Sequence, residues 1–202
     1  MLVIALPKGR IADDSLALFQ KIYGSDFAFE NRKLILEQHS FRFLLVRSQD
    51  VSTYVTHGAA HLGICGKDVL IEQNAHITEL LDLGFGQCNI VLGMKKGERL
   101  DLSRSTLTVA TKMVNITKKF FAEKAMPIEI VKLYGSIELA PLVGLSDAIV
   151  DIVESGATMR ENGLEPVETI MHSSARLFAN QNSFVEHKHE ILALRELIEK
   201  AL

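Results

Sequence analysis

The chain opens on an unbroken apolar run, Leu2 to Leu6, stopped by Pro7-Lys8-Gly9-Arg10. A run that short, bounded by a turn, predicts a buried strand. The apolar spacing then changes. Ile11, Leu16, Leu18, Phe19 and Ile22 lie on a helical period, and Gly24 closes the helix they predict. Leu34–Glu37 and Phe41–Val46 predict two strands around Gln38-His39-Ser40, and Asp50 reads as the N-cap of a helix from Val51 to His57. Leu62 to Gly66 is again a short apolar run, and Lys67-Asp68 opens a helix to about Gln73. Leu80–Leu83 predicts the next strand.

After Gly84-Phe85-Gly86 the same alternation resumes. Asn89–Met94 and Thr106–Ala110 predict strands, Val114–Lys124 a helix that ends before Pro127, and Ile128–Leu133 a strand running toward Gly135-Ser136. Asp147 to Glu154 is a β-branched run with acids at its end, followed by a helical turn that stops at Asn162-Gly163. From Glu168 to Asn180 the pattern is strand-like, and Glu186–Leu202 closes the chain as an amphipathic helix. Strands alternating with helices predict an α/β fold. The glycines at 84–86 mark a lobe boundary, and the strands after Glu168 return the chain to its first lobe. The expected division is residues 1–86 plus 169–202 as lobe I, discontinuous, and 87–168 as lobe II. A cleft between lobes would then receive strand-to-helix turns from both.

Composition narrows the class without adding chemistry. Of 202 residues, 48% are hydrophobic and 23% charged, which suits a globular enzyme with a full core. A formal net charge of −3 argues against nonspecific nucleic-acid binding, so any phosphate site must be built locally. No run reaches the ~20 apolar residues of a membrane span, and no signal peptide is visible. The expected location is cytoplasmic, with no membrane or nucleic acid as partner. The two cysteines, Cys65 and Cys88, form neither a disulfide nor a zinc pattern. Gly58 separates His57 from His61, so they are no metal-binding helical pair. His187 and His189 are two apart, cannot share a helix face, and read as solvated.

The chemistry concentrates at Asp151 to Thr158. A strand that breaks into Ser155-Gly156-Ala157-Thr158 at a helix start can bind an anion through free backbone N–H groups and hydroxyls. Asp151 and Glu154 would repel a bare phosphate. They suit a ligand that carries sugar hydroxyls beside its phosphate, or a magnesium ion. The alternative is an ordinary strand with a helix capped at Ser155. Lys8 and Arg10 flank Gly9 where the first strand gives way to its helix, a place where open α/β sheets bind ligands. They could hold a polyphosphate, or be a solvated basic turn.

Taken in order, these segments resemble the short form of the ATP phosphoribosyltransferase family, the catalytic subunit that opens histidine biosynthesis. The match is carried by Leu6-Pro7-Lys8-Gly9-Arg10, Arg32-Lys33-Leu34, Arg47-Ser48-Gln49-Asp50-Val51, and Leu62-Gly63-Ile64-Cys65-Gly66-Lys67-Asp68. It continues through Tyr134-Gly135-Ser136-Ile137-Glu138 and Asp151-Ile152-Val153-Glu154-Ser155-Gly156-Ala157-Thr158-Met159 to Asn162-Gly163-Leu164. The resemblance implies a two-lobed α/β fold similar to type II periplasmic binding proteins, with the active site in the inter-lobe cleft. It implies transfer of a phosphoribosyl group from phosphoribosyl pyrophosphate to N1 of ATP, with Mg2+ held mainly by substrate phosphates.

The same resemblance distributes roles. Asp151 and Glu154 serve the ribose hydroxyls, and Ser155, Gly156, Ala157 and Thr158 the 5′-phosphate. Lys8, Arg10 and Arg32 are the catalytic cations for departing pyrophosphate. Nucleotide and pyrophosphate contacts fall to Lys8, Gly9, Arg10, Arg32, Arg47, Asp50, Gly66, Lys67, Asp68, Ser136 and Glu138. Displacement at the anomeric carbon demands positioning and electrostatic stabilisation rather than a covalent nucleophile, and no nucleophile–base pair is seen. The resemblance also implies a homodimer within a hetero-oligomer whose regulatory subunit is related to histidyl-tRNA synthetase. The closing helix leaves no segment for the C-terminal histidine-binding domain of longer family members. A non-catalytic binding protein of the same fold is the rival reading. A different phosphoribosyltransferase is another, although the common type sets two acids side by side and here they are three apart.

Overall fold

The computed structural model describes residues 1–202 except Leu102 and Arg104. The chain divides into two compact units, Met1–Gly86 with Ser174–Leu202, and Gln87–Ser173.

Unit 1 is built on a six-stranded sheet in the order β2-β3-β1-β4-β11-β5. These are β1 (Leu2–Pro7), β2 (Ile35–Gln38), β3 (Phe41–Val46), β4 (Leu62–Gly66), β5 (Thr78–Asp82) and β11 (Ala175–Ala179). The central strands β3, β1 and β4 are parallel, with Pro7 opposite Val46 and Ala5 opposite Gly63. Strand alternation sends Leu2, Ile4 and Leu6 to one face, where α1 (Arg10–Tyr23) and α8 (Lys188–Ala201) cover them. Ala5 and Cys65 face the other way, against Val51 and Val55 of α2 (Val51–Thr56) and Leu70 of α3 (Lys67–Glu72). Phe19 is wholly buried, with its ring centroid 5.2 Å from Phe41 and 5.0 Å from Phe43, both edge-on. Burying a side chain of this kind is worth about 1.5–3 kcal/mol.

Unit 2 holds a five-stranded sheet in the order β10-β6-β9-β7-β8. Its strands are β6 (Cys88–Lys95), β7 (Leu107–Thr111), β8 (Ile128–Lys132), β9 (Ala148–Val153) and β10 (Leu164–Ser173). Here β7, β8 and β9 are parallel, while β6 and β10 run against their neighbours. Helices α4 (Val114–Glu123), α5 (Leu139–Leu142) and α6 (Ala157–Glu161) fill the connections. Gly93 lets the Met159 thioether come down on the sheet, since a Cβ there would lie 2.9 Å from its sulfur.

Three details differ from the sequence expectations. The second passage back to unit 1 falls at Ser173/Ser174, later than residue 168, because β10 continues to Ser173 in register with Cys88 of β6. A separate helix, α7 (Gln181–Glu186), precedes α8, and Asn180 caps it by accepting the Ser183 N–H at 3.0 Å. Asp50 stands at the N-cap position of α2 but its carboxylate caps nothing, because the preceding turn Ser48–Asp50 is already 3-10 helix and holds Asp50 in a helical conformation.

Candidate active site

In both units the chemistry-bearing residues follow the carboxyl ends of parallel strands. Within unit 1, β1 hands over to Lys8-Gly9-Arg10, β3 to Arg47–Asp50, and β4 to Lys67-Asp68. Because the three strands are adjacent and parallel, these turns leave one edge of the sheet. The Lys8 N–H donates to the Val46 carbonyl at 2.8 Å and ties the first turn to the second. Gly9 has φ 101, a conformation that L side chains rarely adopt, and begins α1. Lys8, Arg10 and Arg47 are exposed. Arg32 joins them by a different route. β2 is antiparallel to β3, so its start lies at the carboxyl end of β3, where the Leu45 N–H donates to the Leu34 carbonyl at 2.8 Å. Arg32 is exposed in the turn just before.

Lys67 and Asp68 stand differently from the other candidates in this set. The Lys67 ammonium is paired with Glu79, and Asp68 is buried at the start of α3. Glu79 also meets Arg176 at 3.3 Å, and Arg176 reaches Asp82 at 2.8 Å. Lys67 is therefore committed to a surface ion-pair network. Cys65 is fully buried, and burial together with nearby Asp68 pushes its thiol well above the usual range. It is a core residue, as the sequence suggests. His187 is a correction, for its ring packs 4.7 Å from that of His61 rather than standing in solvent.

Unit 2 presents a second such edge, formed by the ends of β7, β9 and β8. Asp151 lies near the end of β9 and is half-buried. Burial raises its pKa, the Ile152 N–H at 2.8 Å and Lys112 pull it down, and Glu138 adds to the rise. Lys112 follows β7, which runs beside β9 with Thr111 opposite Val150, and its ammonium is 3.7 Å from Asp151. The buried Thr111 hydroxyl donates to the Val150 carbonyl at 2.7 Å and accepts the Met113 N–H at 2.9 Å. That pair of hydrogen bonds fixes the turn on which Lys112 sits. Ser136 and Glu138 follow β8, Ser136 with φ 49.

Beyond β9, Glu154, Ser155, Ala157 and Thr158 are exposed, and Gly156 is buried. Gly156, not Ser155, is the N-cap of α6, with φ 72. The Ser155 hydroxyl accepts the Ala157 N–H at 3.3 Å. Arg160 folds back from α6, and its guanidinium donates to the Ser155 carbonyl at 2.8 Å. A run of polar atoms around a left-handed glycine, beside a carboxylate, can hold a phosphate and a neighbouring hydroxyl. Among the described residues no group of three or more His, Cys, Asp or Glu is placed to hold a metal ion.

Lys112 and Arg160 were not among the sequence candidates. Lys112 becomes visible only once β7 is known to be the parallel neighbour of β9. Arg160 carried a signal, for it lies four residues beyond Gly156 and one helical turn brings it back over that residue.

A family model described as ATP phosphoribosyltransferase matches residues 47–200. The chain is 63% identical over 202 residues to the ATP phosphoribosyltransferase of a Nitratiruptor species, covering 100% of this chain and 98% of that one. It resembles the solved ATP phosphoribosyl transferase (HisG:HisZ) complex from Thermotoga maritima with a TM-score of 0.88 and 32% identity, covering 100% of this chain and 98% of that one. The periplasmic aliphatic sulphonate binding protein SsuA from Escherichia coli shares the fold at a TM-score of 0.63 and 14% identity, over 99% of this chain and 72% of that one.

Proposed function

The chain belongs to the ATP phosphoribosyltransferase family, and on that premise we propose that its two sheet edges take different parts of the substrates. The enzyme joins phosphoribosyl pyrophosphate to ATP in the first step of histidine biosynthesis. The edge of unit 2 takes the phosphoribosyl end. Asp151 and Glu154 accept hydrogen bonds from the ribose hydroxyls, and Ser155 to Thr158 bind the 5′-phosphate. The single observation that supports this is Asp151 itself, an acid half-buried beside a left-handed phosphate turn and kept next to a lysine.

The edge of unit 1 takes polyphosphate. Lys8, Arg10 and Arg32 receive the pyrophosphate as it leaves, because guanidinium forks match phosphate oxygens. Gly9 brings backbone close, and Arg47, Asp50, Gly66 and Asp68 add nucleotide contacts on this edge. On unit 2 the nucleotide contacts fall to Ser136 and Glu138. Lys67, held by Glu79, acts at most through that network. As the bond to pyrophosphate breaks, the sugar gains cationic character and the leaving group gains charge. Preorganised cations around the pyrophosphate and a carboxylate beside the sugar both stabilise that change. Adenine N1 already carries a lone pair, so no strong base is needed.

Mg2+ fits this donor set. It usually takes one or two protein carboxylates and fills the rest from substrate phosphates and water. Asp151 and Glu154 supply that number, and the ion would neutralise pyrophosphate charge. Among the described residues no helix is long and apolar enough to cross a membrane, and we place the enzyme in the cytoplasm.

The Thermotoga maritima relative is described as a HisG:HisZ complex. We infer a similar hetero-oligomer here, with this chain as a homodimer and a regulatory subunit related to histidyl-tRNA synthetase. The isolated chain should be active and insensitive to histidine, and the partner should install inhibition with a coupling of about 1–3 kcal/mol. Inhibition of the isolated chain by histidine, at concentrations that act on the complex, would overturn this. The substrate assignment is tested by mass spectrometry of the product with Asp151→Asn alongside. The variant should bind ATP normally and lose phosphoribosyl-pyrophosphate binding. Retained binding would remove Asp151 from the site.

A further inference from the structure

Arg160 makes a contact that its place in the sequence does not require. It lies in the last turn of α6, where a cation is favoured by the helix dipole. Its side chain instead runs back to the start of the helix, where the guanidinium donates to the Ser155 carbonyl at 2.8 Å and lies against Gly156. A Cβ on Gly156 would lie 2.8 Å from Arg160 Nη1. The arginine therefore uses the space that the glycine leaves.

That contact fixes a peptide plane. The Ser155–Gly156 bond is trans, as are all peptide bonds among the described residues. In a planar trans peptide the C=O and the N–H point in opposite directions. With the Ser155 carbonyl drawn toward Arg160, the Gly156 N–H is turned to the other side of the loop. Gly156 at φ 72 has no Cβ to resist either orientation of this plane, so the sequence leaves the choice to the arginine. The guanidinium also places positive charge beside the α6 N–H groups, which is unfavourable unless an anion joins them.

We propose that Arg160 is a positioning residue of the phosphate loop: by holding the Ser155 carbonyl it orients the Gly156 N–H for the 5′-phosphate of phosphoribosyl pyrophosphate. This rests on the assignment of Ser155 to Thr158 to that phosphate. Arg160 acts on affinity for one substrate, leaving the nucleotide and the chemical step unchanged.

Two variants of the full chain test it, Arg160→Met, which keeps the stem and loses every donor, and Arg160→Lys, which keeps one charged donor. Phosphoribosyl-pyrophosphate binding is measured by calorimetry, with kcat and both KM values measured beside it. Losing one charge-assisted hydrogen bond that presets the loop should weaken phosphoribosyl-pyrophosphate binding about tenfold in Arg160→Met. The KM for ATP and kcat at saturation should be unchanged, and Arg160→Lys or added guanidinium ion should restore part of the loss. Equal rises in both KM values, or a fall in kcat alone, would mark a merely structural role and overturn the proposal. If Arg160→Met does not fold, Arg160→Lys carries the same test, with a smaller loss confined to phosphoribosyl pyrophosphate as the supporting result. Thr158→Val separates the two readings. If it weakens binding while the Arg160 variants do not, the arginine proposal fails and the loop assignment stands. If neither position affects binding, the loop assignment fails and the proposal with it.

Discussion

Lys112, in the turn just after β7, faces Asp151 of the adjacent parallel strand β9, ammonium to carboxylate at 3.7 Å. Burial lifts the Asp151 pKa and Lys112 holds it down. The ribose role needs the ionised carboxylate, so Lys112 governs how far into acid the site works. Lys112→Met should push the Asp151 pKa further up, and the acidic limb of phosphoribosyl-pyrophosphate binding should move to higher pH. Binding measured across pH checks this, and a limb that stays put would remove Lys112 from the site. Stability should respond with the opposite sign. A carboxyl with a raised folded pKa contributes stability below its unfolded pKa and loses it as pH rises through the folded value. Asp151→Asn should therefore melt no lower than the parent at neutral pH while losing its ligand.

Gly156→Val should fold and lose phosphoribosyl-pyrophosphate binding. The position has φ 72, and a β-branched residue held there is strained by roughly 1–3 kcal/mol. The new Cβ would meet the Arg160 guanidinium, the far end of a flexible side chain, so the fold can yield. The loop would yield with it and turn its N–H groups away from the phosphate. Unchanged affinity in a folded variant would reduce the turn to a helix cap.

Arg32→Ala should lower kcat by about a hundredfold, the usual cost of losing one preorganised donor to developing charge. Arg32→Lys should recover only part, because an ammonium cannot form the fork. Wild-type turnover in the alanine variant would remove Arg32 from the leaving-group site.

The legible part of this protein was what local pattern encodes. The Leu2–Leu6 run, the helical spacing from Ile11 to Ile22 and the Gly24 stop correspond to β1, α1 and a left-handed C-cap. The acidic strand before Ser155-Gly156 was legible because strand, turn and helix follow each other in sequence. Contacts made across the sheet were not. Lys112 is 39 residues from Asp151 and becomes its neighbour only through the β7–β9 pairing. Lys67 meets Glu79 because β11 inserts between β4 and β5, and Arg176 of β11 shares the same carboxylate. Asp50 has the composition of a cap and lacks the geometry, because the turn before it is already helical.

His61 should set part of the pH dependence of unit 1 stability. Its Nδ1 accepts the Val3 N–H at 3.0 Å, which requires that nitrogen to be unprotonated. Burial lowers its pKa most, followed by the His187 ring and the Met1 amino terminus, while Glu186 and Glu190 oppose them. Glu190 also lies 3.9 Å from the His187 ring. A histidine with a depressed folded pKa is neutral in both states at high pH. As pH falls below the unfolded value of about 6.5, the unfolded chain takes up the proton first, and stability is lost down through the folded pKa. Urea denaturation of the parent and of His61→Gln, at about pH 7.5 and about pH 5.5, isolates this from the carboxylates common to both. The variant should be the less stable at the higher pH, having lost the ring contact with His187, and the gap should narrow at the lower one. A gap that is the same at both values would show that His61 keeps its ordinary titration in the folded protein.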